Sequence, residues 1–267
     1  MALDKEILLE VKNLVRIFGS GKSAVKAVDN VSFSIRKGEI LSLLGESGSG
    51  KTTTARLILK LLPLTEGKII FKNRDITHLN NRRSLLEYWR EVQAIFQDPF
   101  SSFNSFYSVK RVLNNVFRLI KDDIFKEDRE EKIKESLLNV GLNPEEVLNK
   151  RPYELSGGQR QRIMLARILI IKPSLLIADE PTSMIDASSR AGILNLLLDL
   201  RGKYGMSIMF ITHDMGLAYY TSDTLLIMNN GKIVESGDAE KIIENPKDSY
   251  TVRLLSDVPV LYRKWEL

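Results

Sequence analysis

The feature that most constrains this chain is the octapeptide Gly45-Glu-Ser-Gly-Ser-Gly-Lys51-Thr52, which fits the pattern G-x-x-x-x-G-K-[ST]. It lies between an apolar run at 39–44 and a helix-like segment at 52–62, which Pro63 is expected to end. A loop whose backbone N–H groups all turn toward one anion needs φ and ψ values that a Cβ disfavours, so glycines suit it. The strand–loop–helix order therefore predicts a phosphate-binding loop rather than a glycine-rich turn without a ligand.

Each position of this loop has an expected role at a bound nucleotide. The backbone N–H groups and the N-terminal dipole of the following helix would bind the phosphates. Lys51 would supply a point charge for the β- and γ-phosphates, and the Thr52 hydroxyl is placed as a Mg²⁺ ligand. The predicted cofactor-binding residues of the loop are Gly45, Glu46, Ser47, Gly48, Ser49, Gly50, Lys51, Thr52 and Thr53.

A second segment, Leu175-Leu-Ile-Ala-Asp179-Glu180, has the pattern of a buried strand that ends in two carboxylates. Ligands of open α/β sheets bind at the carboxyl ends of the strands. Asp179 is placed to hold Mg²⁺, directly or through water, and Glu180 to orient and deprotonate an attacking water. A strand that ends in solvated carboxylates is the alternative, and the phosphate loop favours the metal and base roles.

A third segment, Leu155-Ser-Gly-Gly-Gln159, is a short loop that opens a helix and so forms a second anion-binding N-terminus. Alone it would be an ordinary turn and helix cap. Between the two phosphate motifs it resembles the signature sequence of the ATP-binding-cassette (ABC) ATPases, whose motifs follow in the same order here. The resemblance implies that Ser156, Gly157 and Gly158, followed by Gln159, complete the γ-phosphate site of a second subunit arranged head to tail.

The same resemblance gives roles to four further positions. Gln97 would reach Mg²⁺ and the attacking water, and His213, after a buried strand, would contact the γ-phosphate. Phe18 would stack on adenine, where the family often has tyrosine; a core position is the competing interpretation. Asp186 would make a contact between subunits, in a segment where Met184-Ile185 replaces the common Ala-Leu. The expected catalytic residues are thus Glu180, His213 and Gln97, and the expected metal ligands are Thr52, Gln97 and Asp179.

The rhythm of apolar segments predicts an α/β fold. Alternation at 7–11 and 27–35 indicates antiparallel strands, and later strands joined by helices indicate a mostly parallel sheet. The resemblance implies a P-loop NTPase (RecA-like) core, an N-terminal antiparallel β-subdomain and an inserted helical subdomain. The expected division is an ABC ATPase domain at 1–258, with its core at 1–98 and 159–235 and its helical subdomain at 99–158, and a family-specific C-terminal tail at 236–267.

Two stretches resemble the ATPase subunits of dipeptide, oligopeptide and nickel importers. The stretch 97–104 has Ser105 after it, where proline is usual, and the stretch 245–251 has Asp248-Ser249 where His-Pro is common. The chain has no cysteine, so it resembles the shorter subunit that lacks a C-terminal cysteine-bound iron–sulfur cluster. The implied function is ATP-driven head-to-tail dimer closure that powers import of dipeptides or oligopeptides; nickel and oligosaccharide import are the alternatives.

This reading implies ATP and Mg²⁺ as cofactors. The implied partners are a second ABC ATPase, two transmembrane permease subunits and, indirectly, an extracytoplasmic substrate-binding protein. A heterodimer of ATPases is favoured over a homodimer, and no nucleic acid is expected. The longest apolar stretch, 163–178, is interrupted by Arg167, Lys172 and Pro173, so no membrane span is predicted. The expected location is peripheral, on the cytoplasmic face of the cell membrane.

A soluble ABC ATPase of DNA repair, chromosome organisation or translation is the rival from another class. The first two types insert a long coiled coil, for which residues 52–155 leave no room, and the translation type usually joins two cassettes in one chain. The net charge of +5, from 39 basic and 34 acidic residues, is too small to choose between anionic partners and solubility. Phe100, Phe103, Phe106 and Tyr107 are hypothesised to dock a permease; packing within the helical subdomain is the alternative.

Overall fold

A computed structural model of the chain describes residues 6–97, 104–120, 125–183, 185 and 187–256. Within these residues the strands form two sheets, one antiparallel and one mostly parallel. The strands are β1 Ile7–Phe18, β2 Val25–Arg36, β3 Ile40–Leu44, β4 Glu66–Phe71, β5 Arg74–Asp75, β6 Val92–Ile95, β7 Leu175–Asp179, β8 Ser207–Thr212, β9 Thr224–Asn229 and β10 Lys232–Asp238. The helices are α1 Lys51–Ile58, α2 Arg82–Glu91, α3 Val109–Val116, α4 Lys126–Asn139, α5 Pro144–Val147, α6 Gly157–Ile171, α7 Ala187–Tyr204, α8 Met215–Thr221, α9 Ala239–Glu244 and α10 Ser249–Ser256.

The antiparallel sheet has the strand order β2-β1-β4-β5. Val11 of β1 is paired with Phe33 of β2 on one side and with Ile69 of β4 on the other. Side chains of β1 that point to one face, such as Leu9 and Val11, are buried, as the alternating pattern requires. The expected antiparallel β-subdomain is confirmed, and both of its first strands are longer than the sequence pattern indicated.

The larger sheet has the order β10-β9-β3-β8-β7-β6, in which β10 alone of these six strands runs antiparallel to its neighbour. Every residue of β3, β7 and β8 is buried, because both faces of the sheet are covered. Leu44 is paired with Thr212, and Asp179 with Ile211, so the carboxyl ends of these three strands lie side by side. This arrangement confirms the predicted fold class and brings three sequence motifs to one edge.

Helices α3, α4 and α6 form a layer that shares a hydrophobic core with the larger sheet. Ile133 and Leu137 of α4, with Val140 just after it, are buried in one cluster with Leu113 of α3 and Ile163 of α6. None of the helices in the described residues has the length and apolar character needed to cross a membrane.

The prediction that α1 runs through 52–62 is wrong at its C-terminal end, because the helix ends at Ile58. Lys60 has a left-handed backbone (φ 59°), and the N–H of Leu61 donates to the carbonyl of Arg56 over 2.9 Å. Left-handed residues of this kind terminate helices by satisfying the last carbonyls. The helix thus stops before Pro63, which only prevents its continuation.

Candidate functional site

The phosphate loop connects β3 to α1 along a path that only glycine permits at two positions. Gly45 has a φ of +152°, and a Cβ there would lie 2.1 Å from the Met228 carbonyl oxygen. Gly50 has a φ of +110°, and its Cβ would lie 2.4 Å from the carbonyl oxygen of Ala27. The loop is therefore packed directly against the backbones of β9 and β2, and this close contact fixes its shape.

Lys51 places its ammonium group in the middle of this loop. The Nζ atom donates to the carbonyl oxygens of Gly45 (2.7 Å) and Glu46 (2.8 Å). Burial lowers the pKa of Lys51, and the nearby carboxylates of Glu180 and Asp179 oppose that change. The result is a positive charge held next to the loop's N–H groups, where an anion would bind.

Thr52 and Asp179 supply a pair of oxygen atoms beside the lysine. Thr52 Oγ1 donates to Asp179 Oδ2 over 2.9 Å, and Asp179 is buried. Burial raises the pKa of Asp179, against the opposing hydrogen bond from Thr52. Mg²⁺ typically takes one or two protein oxygens together with waters and substrate phosphates. A hydroxyl and a carboxylate at this spacing fit such an ion, although no larger acidic or histidine cluster that could hold a metal occurs among the described residues.

Glu180 and His213 meet at the ends of β7 and β8. The Glu180 N–H donates to the Ile211 carbonyl over 2.9 Å, which extends the pairing of the two strands by one residue. Glu180 has a φ of +47°, a strained value for a non-glycine residue. Its Oε1 lies 2.9 Å from Nδ1 of His213, a side chain that is 64% exposed. The pair thus presents a carboxylate that is oriented by an imidazole, as a base for water requires.

The signature segment forms the N-terminus of α6. Ser156 Oγ accepts the N–H of Gln159 over 3.2 Å, and Gln159 Oε1 accepts the N–H of Ser156 over 3.0 Å. This reciprocal arrangement is a capping box, which satisfies two of the helix's first donors. Arg160 links α6 to the residues before the loop, because its Nη1 donates to the Pro152 carbonyl. Ser156 itself is exposed, so its hydroxyl is accessible to another molecule.

The remaining expected residues differ in how they are placed. Phe18 is 37% exposed and one face of its ring is covered by the Arg16 guanidinium at 4.6 Å, so the interpretation as a core residue is wrong. Gln97 is exposed, two residues after the end of β6. Asp186 lies outside the described residues.

The aromatic segment after Gln97 is described in part. Phe106 is 84% exposed, so the alternative of internal packing is wrong for this residue. Tyr107 stacks on the guanidinium of Arg111 at 3.8 Å. Phe100 and Phe103 lie outside the described residues, and docking of a permease at this surface stays a hypothesis.

Sequence reasoning missed one residue at the phosphate loop. The Tyr250 hydroxyl accepts the backbone N–H of Glu46 over 3.0 Å, although 204 positions separate them. The sequence singled out residues 245–251 by their resemblance to importer ATPases, but pattern alone gives no indication of which loop this segment contacts. Contacts between residues so far apart depend on the tertiary fold, which places α10 next to the end of β3.

Comparison with known proteins gives consistent matches. Residues 28–183 match the family model described as ABC transporter. The oligopeptide transport ATP-binding protein OppF of Bacillus subtilis is 42% identical over 255 residues, which cover 96% of this chain and 83% of that protein. OppF of Streptococcus mutans is 43% identical over 263 residues, covering 97% and 84%.

A solved structure extends the similarity to three dimensions. The dimeric ATP-binding cassette MJ0796, bound to ADP and phosphate after hydrolysis, matches with a TM-score of 0.79 and 27% sequence identity. The matched region covers 87% of this chain and 99% of that one.

Proposed function

The chain belongs to the ABC transporter family, whose model matches more than half of it, and from this premise we propose that it powers the import of short peptides by hydrolysing ATP. The observation that carries the proposal is the common edge of β3, β7 and β8. There Lys51, the Thr52–Asp179 pair and the Glu180–His213 pair provide, in one place, groups for phosphate, metal and water. Peptide as the substrate is supported by the names of the relatives that match nearly the whole chain.

Each group of residues at this edge has its own role in the proposed reaction. The loop N–H groups and Lys51 bind the β- and γ-phosphates, and Phe18 stacks on adenine with Arg16 behind its ring. Thr52 and Asp179, with Gln97, would hold Mg²⁺, which when bound neutralises charge on the phosphates. Glu180 orients the attacking water and accepts its proton, and His213 holds the carboxylate in position while it faces the γ-phosphate.

A second subunit completes the site in this proposal. Ser156, Gly157 and Gly158 of one subunit contact the γ-phosphate held by the phosphate loop of the other, and Asp186 would make a contact between the two subunits. The second subunit is another ABC ATPase or a second copy of this chain. ATP bridges both surfaces, so its binding favours the closed dimer. Closure is transmitted to two permease subunits on the cytoplasmic face of the membrane, which receive peptide from an extracytoplasmic binding protein.

Cysteine cross-linking tests the composite site, because the native chain has no cysteine to give a background. Ser47→Cys in one subunit and Ser156→Cys in the other both replace exposed residues of similar size. In a Glu180→Gln background we expect a disulfide between subunits with Mg·ATP and a much weaker one with ADP. Ser108→Cys, at the N-terminus of α3, is the matched control for Ser156→Cys. A pair that never cross-links in Mg·ATP, with this chain's copies or with its co-purified ATPase partner, contradicts the head-to-tail site.

Transport measurements test the substrate. The chain is purified with the permeases and second ATPase that accompany it from membranes, and the complex is placed in vesicles with its substrate-binding protein. We expect short peptides to stimulate ATP hydrolysis and to enter the vesicles, and Glu180→Gln to stop both. Stimulation by nickel or by oligosaccharides, without any by peptides, would replace peptide import with one of those alternatives.

A further inference from the structure

The C-terminal segment reaches the phosphate loop through a single tyrosine. The Tyr250 side chain is buried, and its hydroxyl oxygen accepts the N–H of Glu46, the residue that follows Gly45. The ring lies in the same hydrophobic cluster as Leu44, which precedes the loop, and Met215, which begins α8 just after His213. Tyr250 therefore contacts the phosphate loop through its hydroxyl, and its ring packs beside α8, the helix that follows His213.

The position of Tyr250 is itself well determined. Asp248 Oδ1 accepts the N–H of Tyr250 over 2.8 Å. The Glu235 carboxylate of β10 accepts the N–H groups of Lys247 (2.9 Å) and Asp248 (3.1 Å). Two hydrogen bonds to the Glu235 carboxylate thus join the start of α10 to the larger sheet, and the bond to Asp248 orders the start of the helix itself. Hydrogen bonds to a carboxylate are stronger than those between neutral groups.

We propose that Tyr250 is a positioning residue for the phosphate loop, which sets the orientation of the peptide group at Glu46 and through it the path of the loop. The inference rests on the proposed nucleotide-binding role of that loop. Tyr250 acts through the backbone of the loop, because its hydrogen-bond partner is the N–H of Glu46. The side chains of Glu46 and Arg253, which approach to 4.0 Å, are both mostly exposed and contribute little.

This geometry predicts which kinetic quantity changes. The loop N–H groups contact phosphates in the bound nucleotide before and after hydrolysis, whereas Glu180 and His213 act on the attacking water. Loss of the tyrosine hydroxyl should therefore lower the affinities for ATP and for ADP equally, by about fivefold, which is the ratio expected for the loss of one hydrogen bond. The maximal hydrolysis rate at saturating ATP should stay within about twofold of the wild type.

The test is Tyr250→Phe in the full chain, with Tyr88→Phe as its matched control. Tyr88 is also buried, and its hydroxyl donates to the Ile58 carbonyl over 2.8 Å, at the far end of α1. Both variants lose one buried hydroxyl, so similar losses of thermal stability are expected. Calorimetric titration should show weaker ATP and ADP binding in Tyr250→Phe alone. Wild-type affinity in Tyr250→Phe, or equal weakening in both variants, overturns the inference.

Two further variants separate backbone from side chain. Glu46→Ala keeps the N–H group, so Tyr250→Phe should cause the same fold-loss of affinity in that background as in the wild type. Arg253→Ala should bind nucleotide as the wild type does. If Glu46→Ala removes the effect of Tyr250→Phe, the backbone contact is not the cause and the inference fails. Failure of the wild-type chain to bind ATP would instead contradict the proposed function.

Discussion

The N-termini of α1 and α6 are both proposed to face phosphate, yet they use their first N–H groups differently. Gly50 precedes α1 and has no side chain with which to cap it, while Lys51 binds the loop's own carbonyls. Ser156 precedes α6 and forms a reciprocal capping box with Gln159. The first N-terminus thus reserves its donors for an anion, whereas the second satisfies two of its donors internally.

One chain can therefore carry two unlike halves of a site. The phosphate loop is fixed by contacts of Gly45 and Gly50 with neighbouring backbones, so it is shaped before an anion binds. The signature segment is stabilised by its own cap, which leaves the Ser156 hydroxyl proton available, since that oxygen accepts from Gln159 while the proton remains to be donated. A stable subunit can therefore present the second half without a partner. Its contribution should appear only when two subunits close.

The greatest loss of activity is expected in the half of the site that contains α1, from substitution of Glu180, the proposed base. Glu180→Gln keeps the shape of the side chain but cannot accept the proton, so hydrolysis should fall about a thousandfold. ATP binding should persist and the closed dimer should accumulate. Phosphate release under saturating ATP and size-exclusion chromatography measure these two outcomes. A decrease of less than about tenfold would show that another group is the base.

A somewhat smaller effect is expected for Lys51→Ala. Removal of the charge at the centre of the loop should reduce hydrolysis by roughly a hundredfold or more, together with ATP affinity. Lys60→Ala is the matched control: burial lowers the pKa of Lys60 as it does that of Lys51, and its Nζ donates to the Thr77 carbonyl. Equal losses of ATP affinity in both variants would mean that a buried lysine matters here for stability rather than for phosphate.

Much of this contrast could be predicted from sequence, because the residues involved are close along the chain. The motif around Lys51 and the segment around Ser156 each specify a local turn and helix start. The parallel strand pattern also placed Asp179 and Glu180 at the edge where Thr52 lies. The predicted end of α1 is wrong. The helix is stopped by the left-handed backbone of Lys60, and lysine is not a residue type that indicates such a turn.

The contacts that sequence did not reveal are long-range ones. The pairing of Glu180 with His213 depends on the register of β7 and β8, which is set by burial of both strands and not by either motif. The contact of Tyr250 with Glu46 depends on how the C-terminal helices fold back over the sheet. The stacking of Arg16 on Phe18 is the local exception, between residues two positions apart that share a face of β1.

The α6 half should show an intermediate effect that depends on closure. Ser156→Ala removes a helix cap worth about 1 kcal/mol and the hydroxyl expected at the γ-phosphate. ATP hydrolysis by the assembled complex should fall roughly tenfold, the change that 1.4 kcal/mol produces, while ATP binding by single subunits stays the same. Ser108→Ala removes the equivalent cap of α3, where Oγ accepts the Arg111 N–H. If it lowers hydrolysis as much, loss of helix stability explains the result and the contrast between the two N-termini is lost.

A last and smaller effect concerns thermal stability. It tests whether the buried carboxylate of Asp179, beside α1, destabilises the folded chain. Burial raises the pKa of Asp179, so the ionised carboxylate is less favourable in the folded chain than in the unfolded one. Its contribution to stability is therefore fully present below the unfolded pKa and is lost as the pH rises through the raised folded value. Asp179→Asn, which keeps an acceptor for the Thr52 hydroxyl, should raise the melting temperature of the nucleotide-free chain at neutral pH by about 2 °C.

The pH dependence of that gain distinguishes charge from packing. The difference between Asp179→Asn and the wild type should shrink as the pH falls toward 4, because Asp179 then becomes protonated and neutral as well. Asp75 is a control of opposite sign: its hydrogen bonds from Thr77 lower its pKa to about 2. Asp75→Asn should therefore lower the melting temperature slightly at neutral pH, and this loss should shrink as the pH falls from the unfolded pKa through the lowered one. If Asp179→Asn is destabilising at every pH, the buried carboxylate contributes to folding and the phosphate-loop half is not held at a cost for the sake of its ligand.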